Sequence, residues 1–390
     1  MLYLDNAATT PLRTQVLESM LPYLTENFYN PSSVYTPARK IRAAIDDSRQ
    51  NIASVINAAP DEIFFTSGGT ESDNWAIKGT LEASKRGRHI ITTETEHHGI
   101  LYVCKHMEKQ GCEVTYLPVD GEGFVKPSDL EATIRPETSL VSIMLANNEV
   151  GTIQPIAALS EITNRHGIPF HTDAVQAAGH IPIDVEKLGV QMLSLSAHKF
   201  GGPKGIGALY VKKDTPIFSL FQGGAQERNR RAGTENAAGI VGMGTALSLS
   251  AKELPCELPR VSALRDTLIR EISEKIPHSI LNGTTGENRL PGNVNFSFRF
   301  IEGESLLLHL DMQGCCASTG SACSSGALEP SHVLMALGLG HELANGALRF
   351  SFGTENTSAD IKKLMEILCP AVDKLRILSP LYDDFIKGVN

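Results

Sequence analysis

No stretch of this 390-residue chain comes near the roughly 20 uninterrupted apolar residues that a membrane-spanning helix requires, so no membrane partner is expected. Cysteine is scarce and odd in number. Seven cysteines without regular spacing exclude an extracellular disulfide framework and predict free thiols in a reducing compartment. Long blocks of one charge are also missing. A net charge of −9 is spread along the chain, which makes nucleic acid an unexpected partner. The opening "MLYLDNAATTPL" has neither the basic region nor the apolar stretch of a secretory signal, and the expected location is cytoplasmic. Internal repeats, low-complexity tracts and long linkers are absent as well.

What is present is the balance of a globular protein, 42% hydrophobic and 20% charged. The length exceeds what one core usually serves and predicts a large domain with a smaller companion. Between about residues 60 and 215, β-rich runs alternate with segments of helical period. The runs are "EIFFTS", "HIITTE", "SLVSIMLA", "IPFHTDA", "MLSLSA" and "GALYV". This alternation predicts an α/β fold built on a mostly parallel, doubly wound sheet. After about residue 250 the pattern changes to long helical stretches around "NVNFSF" and "GALRFSFG", as in a smaller α+β domain. The expected division is residues 13–250 for the large domain, with 1–12 and 251–390 for the smaller one.

Several runs end directly in polar or glycine-rich residues, and in open α/β sheets ligands sit at those carboxyl ends. In "TSGGTESDNWAIKG", an apolar strand runs into Gly68, Gly69 and Thr70 and then into a helical segment. Glycines let backbone amides approach an anion, and a helix N-terminus offers unpaired N–H groups. Read alone, the segment fits a phosphate cradle and a tight strand-to-helix turn capped by Thr70 equally well. In "HTDAVQAAG", Asp173 stands at a strand end with Gln176 three residues on, where a helix-capping role is the plainer reading. In "SLSAHKFGGPKGIGALYV", Ser196, His198 and Lys199 follow an apolar run and precede a glycine-rich, hairpin-like return. A poorly solvated lysine there has a lowered pKa and stays available for Schiff-base chemistry, although surface lysines are commoner. Together, an anion cradle, a strand-end carboxylate and a strand-end lysine are what pyridoxal 5'-phosphate (PLP) requires.

The motifs "LDNAATTP", "NPSS", "TSGGTESDN", "TEHHG", "NNEVGTIQPI", "HTDAVQAAG", "SLSAHKFGGPKG", "RRAGTEN" and "TGSACSSGALEPSHVL" occur in this order. In this the chain resembles the NifS/IscS-type cysteine desulfurases over essentially its whole length. The resemblance implies the aspartate-aminotransferase-like architecture, PLP fold type I, with PLP in the large domain. By resemblance, Lys199 forms the imine with PLP, Asp173 keeps the pyridine nitrogen protonated, Gln176 bonds the ring's phenolic oxygen, and Asn148 adds a further polar contact to the cofactor and to the substrate. Gly69, Thr70, Ser196 and His198 match the phosphate cup. Thr234 of "RRAGTEN" matches a residue contributed by the neighbouring subunit, which implies a homodimer. His97 matches the histidine that stacks on the ring and assists proton transfer, and Arg349 the clamp for the substrate carboxylate, although an arginine in an apolar strand is more commonly part of a structural ion pair.

Cys323 matches the nucleophile. The implied reaction takes sulfur from L-cysteine onto the Cys323 thiolate, releases L-alanine and leaves a persulfide. That sulfur would pass to an acceptor protein, for iron–sulfur cluster assembly or another sulfur transfer. Cys323 would also serve as a transient iron–sulfur ligand shared with a scaffold partner. Gly320 and Gly326 around it read as hinges. Alternatives on the same fold are an aminotransferase or other PLP lyase, with Cys323 incidental, and a selenocysteine lyase. A metal or cluster scaffold on Cys315, Cys316 and Cys323 is disfavoured by the adjacent pair and the lack of a CxxC complement. Cys315 and Cys316 read as small buried residues at a strand end, with a relay thiol as the other reading. One departure from the family stands after "RFSFG", where many members carry a basic residue and this chain has Thr354 and Glu355.

Overall fold

A computed structural model of the chain describes residues 1–319 and 330–388. Twelve strands are found among these residues: β1 (Leu2–Tyr3), β2 (Ile63–Thr66), β3 (His89–Thr93), β4 (Glu113–Leu117), β5 (Thr138–Ser142), β6 (Phe170–Asp173), β7 (Met192–Ser196), β8 (Gly207–Val211), β9 (Ser279–Leu281), β10 (Asn293–Phe298), β11 (Cys315–Cys316) and β12 (Ala347–Ser351). Seven of them form the main sheet in the order β2-β8-β7-β6-β5-β3-β4. The pairs from β7 through β4 are parallel, and β8 alone runs against its neighbours. The mostly parallel sheet expected from the alternating runs is therefore present, and the glycine-rich return before "GALYV" is the reversal that makes β8 antiparallel.

Each central strand is buried on both faces because helices cover both sides. Successive residues divide between two cores: Phe65, Ile91, Val141 and Leu193 enter one, while Phe64, Ile90, Leu140 and Met192 enter the other. Helices Thr36–Ile56 and Ala237–Lys275 bury Ile41, Ile45, Ile52, Met243 and Leu247 in the first core. Helices Gly69–Ala83 and His98–Lys109 bury Trp75, Ile77, Ile100 and Val103 in the second.

Strand β2 leaves one edge free, and side chains rather than another strand pair it. Glu227 Oε2 accepts the Phe65 N–H at 2.9 Å, and Arg49 Nη1 donates to the Ile63 carbonyl at 2.6 Å. Arg49 and Glu227 also form a buried bidentate pair at 2.8 and 2.7 Å. Glu227, Arg228 and Asn229 all have positive φ, a costly left-handed turn that this pair holds in place.

A third core is built on the antiparallel sheet β12-β10-β9 and the parallel pair β1–β11. It contains Leu2, Leu4, Leu268, Phe296, Phe298, Leu310, Phe350 and Leu368. The helix Ala237–Lys275 runs from the first core, at Ile240, to the third, at Leu268. Residue 250, where the division was expected, lies within that helix.

Candidate active site

The site forms where β2, β3, β6 and β7 end. β2 stops at Thr66, and Ser67 and Gly68 turn the chain into the helix Gly69–Ala83. A side chain at Gly69 would place its Cβ 2.7 Å from Val175 Cγ2, so glycine is what lets the helix start pack against the loop after β6. β7 ends at Ser196, and a short helical turn, Ala197–Lys199, carries the lysine. A cavity of about 430 Å³ opens between these two strand ends, lined by Ser67, Gly68, Gly69, Thr70, Ser196 and His198. Hydroxyls and the first N–H groups of a 15-residue helix converge there, a donor set suited to a phosphate.

Lys199 Nζ donates to the Ala7 and Ala8 carbonyls at 2.7 and 2.9 Å, and Gln176 Nε2 donates to Ala7 at 2.9 Å. The "LDNAATTP" loop thus lies directly over the lysine. Its residues Ala8 and Thr9 also line the cavity, and Thr9 Oγ1 pairs with His198 Nδ1 at 3.1 Å. The motif supported the resemblance, but no site residue was assigned within it.

Asp173 is buried at the end of β6 and accepts the Val175 N–H at 2.9 Å. Burial raises its pKa, while that hydrogen bond and the Lys199 ammonium act in the opposite sense. His97 caps the next helix. Its Nδ1 accepts the Gly99 N–H at 3.0 Å, which in the neutral ring leaves the hydrogen on Nε2. Burial, then Lys199 and His98, lower the His97 pKa to about 4. Burial, then Lys199 and Lys204, do the same for His198, again to about 4. A carboxylate oxygen from each of Asp73 and Asp173 and a ring nitrogen of His97 all lie within 4.8 Å of one another. Asp73 was not among the expected residues. Its signal was an acid at a core-facing position of the helical period, since Asp73, Ala76, Ile77 and Thr80 are all buried.

Arg349 stands on β12 with a 3% exposed side chain. Nη1 donates to the Asn148 carbonyl and Nη2 to Asp5 Oδ1, each at 2.9 Å. The backbone of Arg349 pairs with Ser318, one residue before the last described position on that side of Cys323. Cys323, Gly320 and Gly326 lie outside the described residues. Thr234 is exposed and does not line the cavity of its own chain. Cys315 is buried in β11, and burial pushes its thiol up to about 12, which suits packing and not a relay.

The residues present fit PLP. A cup of small donors, a buried acid and a lysine amine meet at neighbouring strand ends. Residues 2–364 match the model of the aminotransferase class-V family. The chain is 55% identical over 379 residues to cysteine desulfurase IscS of Dictyoglomus turgidum, covering 97% of this chain and 96% of that one. It is 55% identical over 380 residues to cysteine desulfurase IscS of Methanosarcina thermophila, covering 97% and 94%. Among solved structures, a NifS-like protein superposes with a TM-score of 0.90 at 37% identity, over 96% of this chain and 100% of that one. SspA in complex with cysteine matches at 0.80 and 37%, over 90% and 99%. The chain belongs to the aminotransferase class-V family and, within it, to the NifS/IscS-type cysteine desulfurases.

Proposed function

We propose that the protein is a PLP-dependent cysteine desulfurase that converts L-cysteine to L-alanine and leaves the sulfur as a persulfide on Cys323. The observation that carries this reading is the convergence of Lys199, Asp173 and His97 beside a donor-lined cavity, in a chain that keeps the late "SAC" motif. When bound, PLP supplies an electron sink for the substrate's Cα and Cβ bonds.

Lys199 would hold the cofactor through its amine, and Ser196, His198, Gly69 and Thr70 would hold its phosphate. Asp173 would face the pyridine nitrogen, Gln176 the phenolic oxygen, and Asn148 would add a polar contact. Arg349 would bind the substrate carboxylate, a task suited to a guanidinium fork. The Lys199 amine and His97 at Nε2 are the groups placed to move protons. The Cys323 thiolate then forms an S–S bond to the substrate sulfur. The substrate's Cβ–S bond breaks, its electron pair stays on carbon, and protonation there gives alanine.

We also propose that two copies assemble, with Thr234 of each serving the other's phosphate cup. In support, Thr234 is exposed, and the apolar side chains of Leu24, Phe28 and Val34 stand in solvent in the single chain. The persulfide would pass to an acceptor protein for iron–sulfur cluster assembly or another sulfur transfer, with Cys323 as a transient cluster ligand. A cytoplasmic location is proposed with this reading; no described helix is long and apolar enough to cross a membrane, and the six described cysteines are free thiols. The division into domains 13–250 and 1–12 with 251–390 is likewise a proposal, supported by Leu2 and Leu4 packing in the third core.

The test is product analysis with L-cysteine and a thiol reductant, which releases the persulfide sulfur as sulfide. Alanine and sulfide in equal amounts, with the cofactor band returning unchanged, are expected. Accumulation of a keto acid and an aminated cofactor would establish the aminotransferase reading instead.

A further inference from the structure

Asp73 is a buried acid at the site for which the reading above has no use. Its side chain is 1% exposed, and Oδ1 has no hydrogen-bond partner among the described residues. One of its oxygens lies within 4.8 Å of both an Asp173 oxygen and a His97 ring nitrogen. Behind it, His171 Nε2 is 3.8 Å from Oδ1, too far for a hydrogen bond. That nitrogen instead pairs with Ser194 Oγ at 2.9 Å, and Nδ1 pairs with Ser142 Oγ at 2.9 Å.

Two carboxylates this close in a low-dielectric interior do not both ionise at modest cost, and the one with the poorer anion site keeps a proton. Asp173 has the better site, with the Val175 N–H at 2.9 Å and the Lys199 ammonium nearby. The groups that face Asp73 are Asp173 and His171 from β6 and Glu96 and His97 from the turn after β3. Burial first, then Asp173 and Glu96, raise the Asp73 pKa against a hydrogen bond from Ser194 that lowers it, and burial lowers that of His171.

We propose that Asp73 is the protonated member of an acid pair with Asp173, a positioning residue that keeps the pair's single negative charge on the carboxylate facing the pyridine nitrogen. The proposal rests on the assignment of Asp173 to that nitrogen. It implies that a neutral isostere, asparagine, can replace Asp73.

The test uses the cofactor-free protein, so that it does not depend on PLP binding. An acid whose folded pKa is raised binds more protons folded than unfolded. Its presence costs stability as pH rises from the unfolded value, near 4, through the folded one. Thermal unfolding of wild type and Asp73→Asn is therefore compared at about pH 5 and about pH 8. The wild type should lose ground to the variant by a few degrees at the higher pH, and a gap that is the same at both would overturn the proposal. If D73N does not fold, the carboxyl carbons of aspartate-labelled wild type are titrated by NMR without cofactor, with D173N used to tell the Asp73 resonance from that of Asp173. Asp73 still protonated near neutral pH in the wild type supports the proposal, and its ionisation there overturns it. The assignment of Asp173 itself fails separately, if D173N binds PLP with an unaltered affinity and absorbance band.

Discussion

Arg349 and Asp5, 344 positions apart in the chain, meet at 2.9 Å at the edge of the site. Asp5 Oδ1 compensates the guanidinium while the Asn148 carbonyl occupies its other arm. A substrate carboxylate would therefore compete with an internal one. Replacing Arg349 by lysine keeps a charge but loses the fork, and the KM for L-cysteine should rise by about 10- to 100-fold, the equivalent of ~1.4–2.8 kcal/mol. Asp5→Asn should lower KM by removing the competitor, while costing about 1–3 kcal/mol of stability in denaturant unfolding. An unchanged KM in R349K would remove Arg349 from substrate binding.

His97 gives a pH dependence with a definite sign. Its folded pKa is lowered to about 4, so between there and its ordinary value the unfolded chain binds a proton that the folded chain does not. The stability from the neutral ring is complete above about pH 6.5 and is lost as pH falls through about 4. Against His97→Gln, wild-type cofactor-free protein should lose stability over that interval. With cofactor and L-cysteine, the same variant should lose roughly 10²–10⁴-fold in kcat.

Gly69 tests the phosphate cup. An added Cβ would sit 2.7 Å from Val175 Cγ2, so the helix start must move away from the loop after β6. Gly69→Ala should weaken PLP affinity about tenfold, ~1.4 kcal/mol, as read by absorbance titration. Unaltered affinity would place the phosphate elsewhere.

Much of this arrangement was legible from the residues. The six β-rich runs could be read as strands because both faces of the sheet are covered, which favours short runs rich in apolar and β-branched residues. The strand β4 did not stand out because it is the far edge of the sheet and only Leu117 in it is buried. The first half of the helix Ala237–Lys275 was obscured by its glycines. Gly244 lets that helix approach Ser48 so closely that a Cβ would lie 2.9 Å from the serine's own, which low helix propensity conceals from a periodicity reading. Lys199, Asp173 and Gly69 were readable because strand ends are marked by polarity. The Arg349–Asp5 pair and the loop over Lys199 were not, since they depend on which distant segments the fold brings together.

The central claim, that Cys323 receives the sulfur, is tested most directly by Cys323→Ala assayed with L-cysteine and a protein or thiol acceptor. The lysine–PLP absorbance band is expected to persist while alanine and sulfide production is lost. A variant that keeps full activity would contradict it.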